Sequence, residues 1–156
     1  MKNAIAGSWV YVIVMIFMVI LIAYVSITIN YANTFEINEQ MIKAIEQSEG
    51  LNQRSLEILD GLIKDGNHTV THGCGTDVKS DTFFYGVKDR IVTKNPTRND
   101  YNYCIARSDV TVQGTKKYYY KIQIFFSFSL PVLGDLYAFT VQGETSGLSF
   151  VKDDYF

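Results

Sequence analysis

The pattern of hydrophobic and polar positions divides the chain into an apolar run, a segment of helical periodicity and a segment of alternating periodicity. The apolar run extends from Trp9 to Ile29 without a charged residue. As a helix, at roughly 1.5 Å per residue, it would reach about 31 Å, which matches the hydrocarbon core of a bilayer. We therefore predict a single transmembrane helix over residues 9–29.

A secretory signal peptide is the alternative for a run near this terminus. Its apolar region spans only about 7–15 residues and ends at a small-residue cleavage site. Here the apolar pattern continues well beyond that length, which favours a permanent anchor. Lys2 precedes the span, whereas Glu36 and Glu39 follow it. This charge bias predicts a short cytoplasmic leader, residues 1–8, and an extracytoplasmic C-terminal part in a cell-membrane protein.

Helical spacing continues beyond the span, since apolar residues recur at three- and four-residue steps as far as Ile45. One continuous helix is predicted from about residue 8 to residue 48, with Gly50 in the left-handed C′ position after it. A stripe of leucine and isoleucine predicts a second, shorter helix over residues 52–64. Residues 30–66 are thus expected to form an extracytoplasmic helical stem.

From Thr69 onward the hydrophobic period changes to two. The clearest run predicts a strand with one buried face, and its apolar positions are Tyr118, Tyr120, Ile122, Ile124, Phe126, Phe128 and Leu130. Before it, residues 101–113 form a second candidate strand, whose phase shifts between Ile105 and Val110 and predicts a bulge. Gln113-Gly114-Thr115 is expected to connect the two strands as a hairpin.

Three weaker segments complete the predicted sheet. Residues 136–142 form a strand after a turn over residues 131–135, residues 147–151 are a candidate final strand, and residues 82–93 are an edge strand or a loop. Residues 67–156 are therefore expected to form a small antiparallel β-meander. Packed against the helices, this meander gives an α+β fold.

Composition narrows the possible functions. Of the 156 residues, 14 are Lys or Arg and 16 are Asp or Glu, a net charge of −2. The part after the span has room for a single hydrophobic core. No basic field exists there to attract nucleic acid, so we expect no direct nucleic-acid binding.

Cys74 and Cys104 are the two cysteines of the chain, and both fall in the predicted extracytoplasmic part. A disulfide between them is the favoured interpretation, and two buried thiols are the alternative. His68, His72 and Cys74 have a spacing compatible with zinc, but a fourth ligand would have to come from Asp77 or Cys104. A polar glycine-rich loop explains these residues better, and we predict no metal site.

The sequence contains no phosphate-binding loop, nucleophile elbow, zinc-protease motif or dinucleotide fingerprint. Two carboxylate pairs, Asp153 with Asp154 and Glu36 with Glu39, have no nucleophile or second catalytic group beside them in the sequence. Solvated surfaces account for these carboxylates. We expect neither enzymatic activity nor a bound cofactor.

Two stretches resemble type IV pilins and pseudopilins, and more narrowly the TadE-like minor pilins of tight-adherence systems. The first runs from Tyr31-Ala32-Asn33 to Gly50 and is similar to that family's post-membrane helix. The second comprises residues 118–126 and Leu130-Pro131-Val132-Leu133-Gly134, similar to an aromatic strand that leads into a turn and a final strand. The resemblance implies a pilin-like fold. It also implies function in pilus assembly, adhesion or secretion, with other pilin subunits and a membrane platform protein as partners.

The resemblance also implies cleavage of the leader after a small residue. Cleavage after Gly7 would make Ser8 the first residue of the mature chain and Val12 the fifth. The family generally places Glu at the fifth position, where it is thought to pair with the terminal amine of a neighbouring subunit. The apolar Val12 instead favours a tip or initiating subunit, or an assembly component that is never processed.

Two functional hypotheses follow. In the first, the chain is a minor pilin or pilin-like assembly component, and the small residues Ala23, Ser26 and Thr28 face a partner helix in the membrane, unless they are simply tolerated in lipid. In the second, it is a single-pass surface module that binds a ligand or secretion partner through exposed aromatic residues. The candidate aromatic residues are Tyr119, Phe125, Tyr137, Phe150, Tyr155 and Phe156.

Overall fold

The computed structural model describes residues 2–66, 70–74, 85–96, 100–130 and 134–155, with side chains for all of these except 2–8, 128–130 and 134–138. Two helices precede a five-stranded antiparallel sheet, as the predicted α+β class requires. The elements are α1 (Lys2–Gln47), α2 (Gln53–Asp65), β1 (Tyr85–Lys88), β2 (Ile91–Lys94), β3 (Tyr103–Val112), β4 (Thr115–Leu130) and β5 (Gly134–Glu144).

Helix α1 is continuous over 46 residues, which confirms the predicted long helix and starts it earlier, at Lys2. Its C-terminus differs from the prediction by one residue. Glu49 occupies the C′ position, with φ 55°, and Gly50, which follows it, also has a positive φ, 127°. The Gly50 amide donates to the Ile45 carbonyl and the Glu49 amide to the Glu46 carbonyl, at 3.0 and 3.2 Å. These two bonds form a Schellman motif in which Gly50 is the C″ residue.

Helix α2 begins with a reciprocal cap that fixes its start. The Asn52 side chain accepts a hydrogen bond from the Ser55 amide at 3.0 Å, and the Ser55 hydroxyl accepts one from the Asn52 amide at 2.9 Å. Two amides that the helix leaves without internal partners are thereby satisfied. The observed helix agrees with the predicted range of 52–64 to within one residue at each end.

The sheet has the strand order β2-β1-β3-β4-β5, with every neighbouring pair antiparallel. Strands β3, β4 and β5 form the predicted meander, and the β3–β4 hairpin turns at Gln113 and Gly114 as expected. Strands β1 and β2 depart from a simple meander, because β1 pairs with β3 and leaves β2 at the edge. Within the predicted segment 82–93, the residues from Tyr85 onward belong to the hairpin that β1 and β2 form. Its two turn residues have the positive φ values of a type I′ turn.

The bulge predicted in β3 is wrong. Strand β3 pairs with β4 from Tyr103 to Val112 in one unbroken register. The apolar phase changes because burial changes along the strand: residues 103–106 are buried on both faces, whereas residues 108–112 are exposed. A register shift occurs instead between β4 and β5, after Ser127.

The candidate final strand over residues 147–151 is reduced to one bridge. Leu148 exchanges two backbone hydrogen bonds with Tyr118 on the edge opposite β3, each 2.9 Å. The chain then leaves the sheet and crosses to the helices, where the Lys152 amide donates to the Glu49 carbonyl. The prediction of a strand was therefore wrong beyond this bridge.

One hydrophobic core lies between the helices and one face of the sheet. It combines the C-terminal half of α1, α2 and the inward side chains of four strands, with burial of each large side chain contributing roughly 1.5–3 kcal/mol. Its buried members are Met41, Ala44, Ile45, Leu51, Leu56, Leu59, Ile63, Val87, Tyr103, Ile105, Tyr120, Ile122, Ile124, Phe126 and Val141. A second, smaller cluster lies on the opposite face around Phe125 and Cys104.

Candidate functional site: the exposed helix and its attachment

The N-terminal half of α1 is an uncovered apolar surface. From Trp9 onward α1 is long and apolar enough to cross a membrane, and the most apolar window of this helix has no buried residue. Between Trp9 and Asn33 every side chain is exposed except that of Ala23, which is half-buried. Because so large an apolar area is costly in water, this half requires lipid or a protein partner.

The predicted processing residues lie inside this helix. Gly7 and Ser8 belong to the continuous backbone of α1, which starts at Lys2. Val12 is 47% exposed, on a helix with no charged residue from Trp9 to Ile29. No carboxylate is therefore available on this surface to pair with the terminal amine of a neighbour.

The three small residues predicted to mediate helix packing do not share one face. At about 100° per residue, Ala23 and Ser26 lie roughly 60° apart on α1, whereas Thr28 lies about 140° from Ala23. The Thr28 hydroxyl also donates to the Tyr24 carbonyl of the same helix, at 2.9 Å. A single partner helix can thus contact Ala23 and Ser26 together, but not all three.

The C-terminal half of α1 attaches to the sheet at three levels. The level nearest the apolar half is aromatic: the Tyr31 and Phe126 rings meet edge to face with centroids 6.3 Å apart. Phe126 also stacks on Phe139 of β5, with a centroid separation of 5.4 Å. Such pairs contribute roughly 0.5–1.5 kcal/mol beyond their area burial.

The middle level is a close approach between α1 and β5. A Cβ atom at Gly143 would lie 2.4 Å from the Ile42 Cδ1 atom and 3.0 Å from the Asn38 Oδ1 atom. Any residue larger than glycine at position 143 would therefore collide with α1. Asn38 is buried at this contact, and its Oδ1 atom has no hydrogen-bond partner among the described residues.

At the third level Glu46 binds the segment that follows β5. Its Oε1 atom accepts hydrogen bonds from both the amide and the hydroxyl of Ser146, each 2.7 Å long. A carboxylate accepts such bonds more strongly than a neutral group does. The last turns of α1 are thus tied to the chain just after the sheet.

A buried carboxylate locks the end of α1 to the C-terminal tail. Asp153 accepts hydrogen bonds from the Leu51 amide and the Tyr120 hydroxyl, each 2.6 Å long, and its other oxygen pairs with the Arg107 guanidinium. The Asp153 side chain is only 4% exposed. A buried carboxylate with this many donors is satisfied, so removal of one partner would be costly. We call Asp153, Arg107, Tyr120 and the Leu51 amide the tail clasp.

Protonation in the tail clasp follows from its geometry. Burial raises the pKa of Tyr120, and the hydrogen bond to Asp153 together with that carboxylate's charge raises it further. Partial burial acts to lower the pKa of Arg107, but the hydrogen bond and the charge of Asp153 outweigh it and raise that pKa. Arg107 therefore stays charged and Tyr120 neutral over the physiological range.

The tail clasp extends along the start of α2. The Asp154 amide donates to the Leu51 carbonyl at 3.1 Å, and its carboxylate accepts from the Gln53 amide at 3.2 Å. Tyr155 donates through its hydroxyl to the Gln53 side chain at 2.9 Å. The expectation that both aspartates are solvated is therefore wrong for Asp153, whose side chain is buried, and right for Asp154, which is exposed, and both bind backbone amides at the junction between α1 and α2.

Cys74 and Cys104 are joined by the predicted disulfide, with Cα atoms 5.6 Å apart. The bond holds residues 70–74 on the face of the sheet opposite the helices, where His72 and Tyr101 exchange two backbone hydrogen bonds. Neither cysteine is then available as a thiolate ligand, while His68 and Asp77 lie outside the described residues. The His72 ring lies 5.3 Å from that of Phe125.

Asp60 is a second buried carboxylate, on the inner face of α2. It is 5% exposed and pairs with Lys64 at 3.3 Å and with Arg90 of the β1–β2 turn at 3.4 Å. Burial raises the pKa of the neighbouring Tyr103, and the charges of Asp60 and Tyr155 raise it further. Asp60 thus links α2 to the far edge of the sheet.

Among the six aromatic residues proposed as a binding surface, the four whose side chains are described do not form one exposed patch. Phe125 is 1% exposed in the smaller core cluster, and Tyr155 is half-buried in the tail contacts, whereas Phe150 is 63% exposed. Phe156 and the side chain of Tyr137 lie outside the described part of the chain. The sixth, Tyr119, is half-buried.

Sequence reasoning missed Arg107, Tyr120 and Asp153 as a unit, since they come from three distant segments. The available signal was the paired aspartates near the C-terminus in a tail otherwise poor in acidic residues. That signal identifies acceptors for helix-terminal amides, but it does not identify which amides. Comparison with models of protein families, with curated proteins and with solved structures finds no match to this chain.

Proposed function

We propose that the chain is a membrane-anchored minor pilin or pilin-like assembly component of a type IV or tight-adherence pilus or a related secretion machine. It acts by packing the apolar half of α1 among other pilin-type helices while displaying the sheet domain outside. Its partners are other pilin or pseudopilin subunits, a membrane platform protein and the lipid bilayer. The N-terminus is cytoplasmic and the sheet domain extracytoplasmic.

The observation that carries this proposal is the division of one continuous helix. Helix α1 is uncovered and uncharged from Trp9 to Ile29, yet its C-terminal half is built into the core of an antiparallel sheet. A rigid helix shared in this way couples what happens in the membrane to the position of the outer domain. This layout is what the resemblance to pilins implies.

The absence of Glu at position 12 limits the role within an assembly. In low dielectric a carboxylate–amine pair is strong when complete and costly when half made, so Val12 removes the contact that a repeating subunit would use. We therefore propose a tip or initiating subunit, or an unprocessed assembly component. The alternative of a single-pass binding module has less support, because its aromatic residues are dispersed or buried in the described part of the chain.

Site-specific photo-crosslinking in the native host tests the helix-packing role. A photoreactive residue at Ile22, which is 68% exposed on α1, should give adducts with small single-span proteins. The matched control is the same probe at Ile91, which is 69% exposed on β2. Adducts of the Ile22 probe with lipid alone, in cells that produce the complete machine, would contradict the proposal.

Mass determination of the chain from native membranes tests processing at Gly7 and Ser8. Loss of residues 1–7 would indicate the processed subunit, and an intact Met1 would indicate the static assembly component. Mechanical shearing then separates these roles from the binding module, because a subunit of a filament is released into the sheared fraction. A chain that stays wholly with the membrane and forms no adducts from Ile22 would favour the binding module.

A further inference from the structure

The outer face of α2 carries three features that the fold of a single chain does not explain, and the first is a glycine. Gly61 lies inside the helix and is not among the residues with a positive φ. Apart from its two chain neighbours and the nearby backbone of α2, no atom of the described residues lies within 4 Å of a Cβ atom built at Gly61. Glycine inside a helix lowers its stability relative to alanine. Neither a special backbone conformation nor a close contact therefore accounts for this glycine.

The second feature is an apolar side chain beside this glycine. Ile58 precedes Gly61 by three residues, so the two are neighbours on the helix surface, and Ile58 is 40% exposed. A single exposed apolar side chain is common on protein surfaces. Here, however, it lies next to a position that has no side chain. Ile58 and Gly61 thus form a protrusion and an adjacent depression on the same face of α2.

The third feature is the placement of charge at the two ends of α2. Arg54 lies in the first turn and Asp65 is the last residue of the helix. A helix carries partial positive charge at its N-terminus and partial negative charge at its C-terminus, so each side chain lies at the unfavourable end. Both side chains are exposed, and neither forms an ion pair within the described ranges. In a single chain these two charges therefore weaken the helix.

The four residues lie on one stripe that points away from the core. At about 100° per residue, they fall within about 60° of one another. We call Arg54, Ile58, Gly61 and Asp65 the outer stripe. The buried side chains of α2 lie on the other side of the helix and are those of Ser55, Leu56, Leu59, Asp60 and Ile63. The outer stripe is symmetric about its own middle, because Ile58 and Gly61 flank the middle and the two charged residues lie equally far beyond them.

We infer that the outer stripe is a contact surface for a second copy of this chain, in which the two α2 helices cross in opposite directions around a two-fold axis. Ile58 of each copy then packs against Gly61 of the other copy. Arg54 lies opposite Asp65 of the other copy, and each charge also meets a helix end of opposite sign. The three features that are unfavourable in a single chain all become favourable in the pair.

Self-complementarity is what selects a second copy as the occupant of this surface. A two-fold axis requires the two halves of one surface to fit each other in shape and charge. The outer stripe meets both requirements, because Ile58 protrudes where Gly61 recedes and a positive end faces a negative end. One helix face is smaller than a standard protein interface, so the contact is weak and reversible.

Sedimentation of the full chain in detergent tests the contact, and its outcome does not depend on the proposed membrane anchoring. At about 100 μM, where a contact with a Kd of about 10 μM is largely occupied, we expect a dimer that dissociates on dilution. Arg54→Asp and Asp65→Arg each place like charges opposite one another at both ends of the contact. Each should weaken the dimer about five- to tenfold. The double variant Arg54→Asp/Asp65→Arg should restore it.

Two further variants separate loss of the contact from loss of the fold. Both charge reversals suit the helix dipole, so circular dichroism should show that α2 remains folded in the weakened variants. Gly61→Gln also raises helix propensity, yet it fills the depression and should abolish the dimer. Asp109→Arg makes the same charge change at an exposed carboxylate of β3, and this matched control should leave the dimer unchanged.

Three results would overturn the inference. The first is a chain that stays monomeric at about 100 μM. The second is a dimer that neither charge reversal weakens, or that the double variant does not restore, since the contact would then lie on another surface such as the apolar half of α1. The third comes from oxidation of Arg54→Cys/Asp65→Cys, in which the native cysteines are already paired. A two-fold contact gives closed dimers only, whereas a ladder of larger species would show a contact without two-fold symmetry.

Discussion

The two halves of α1 have the same secondary structure but opposite surroundings. From Trp9 to Ile29 every side chain except that of Ala23 is exposed, whereas from Tyr31 to Gln47 the helix is attached to the sheet at three levels and to the tail at its end. Folding of the sheet domain makes little demand on any one side chain of the apolar half, because nearly all of those side chains are exposed. The packed half depends on specific partners, such as Gly143 and Asp153.

The tail clasp should show the largest effect in the packed half. Asp153→Ala leaves Arg107 and the Leu51 amide without their acceptor, and we expect a loss of about 3–5 kcal/mol in the free energy of unfolding. Denaturant unfolding of the full chain in detergent measures this loss. Asp109→Ala, which breaks an exposed pair with Lys116, is the matched control and should cost well under half as much. Equal losses of unfolding free energy in the two variants would show that the tail clasp contributes no more than an exposed ion pair.

Core truncation compares the two halves directly. Ile45 is fully buried against the sheet, and Ile45→Ala should lower the free energy of unfolding by about 2–5 kcal/mol. Ile20→Ala makes the same chemical change in the exposed half, where we expect almost no effect on unfolding of the sheet domain. The measurement is detergent-based denaturant unfolding followed by near-ultraviolet circular dichroism. A large effect of Ile20→Ala would mean that the halves are not energetically separate.

The close approach at Gly143 should give a moderate effect. In Gly143→Ala the new methyl group would meet Ile42, and we expect a loss of about 1–3 kcal/mol as α1 and β5 move apart. Gly61→Ala in α2 is the control, because apart from the neighbouring backbone of α2 no atom of the described residues lies within 4 Å of the added Cβ. That control should be neutral, or more stable by about 0.5–1 kcal/mol, since glycine is unfavourable in a helix. Tm values of both variants test the difference.

Alkaline pH should weaken the packed half in a graded way. The pKa values of Tyr103 and Tyr120 are raised in the folded chain from an ordinary value of 10.0. Below about pH 10 both are neutral in either state; above it the unfolded chain loses protons that the folded chain keeps, so stability falls as pH rises. The slope approaches roughly 1.4 kcal/mol per pH unit for each tyrosine.

Phenylalanine variants identify the source of that slope. Tyr103→Phe and Tyr120→Phe should each reduce it, and the double variant should reduce it most, as measured by denaturant unfolding at successive pH values. Tyr103→Phe should change little at neutral pH, because the Tyr103 hydroxyl has no hydrogen-bond partner among the described residues. A slope that persists in the double variant would place the alkaline sensitivity elsewhere.

The predictions from sequence were best where one local pattern decides the structure. The long helix, the second helix and the β3–β4 hairpin depend on helical spacing, alternation and a glycine turn, and all three are confirmed. The predictions from sequence were wrong where burial varies along one element. The predicted bulge in β3 and the candidate strand over residues 147–151 were both inferred from alternation alone, which does not distinguish a change of register from a change of surroundings.

The sequence by itself therefore determined the apolar span, the α+β class and the two cysteines of the disulfide, because each depends on residue type or on spacing along one segment. Only the tertiary structure decided that Asp153 lies buried beneath Arg107 and Tyr120. It also decided that α1 approaches β5 closely at Gly143, where a side chain would not fit, and that Tyr31 of α1 meets Phe126 of β4. These depend on contacts between segments 33 to 102 residues apart, whose relative placement is set by packing of the whole core and not by any local pattern.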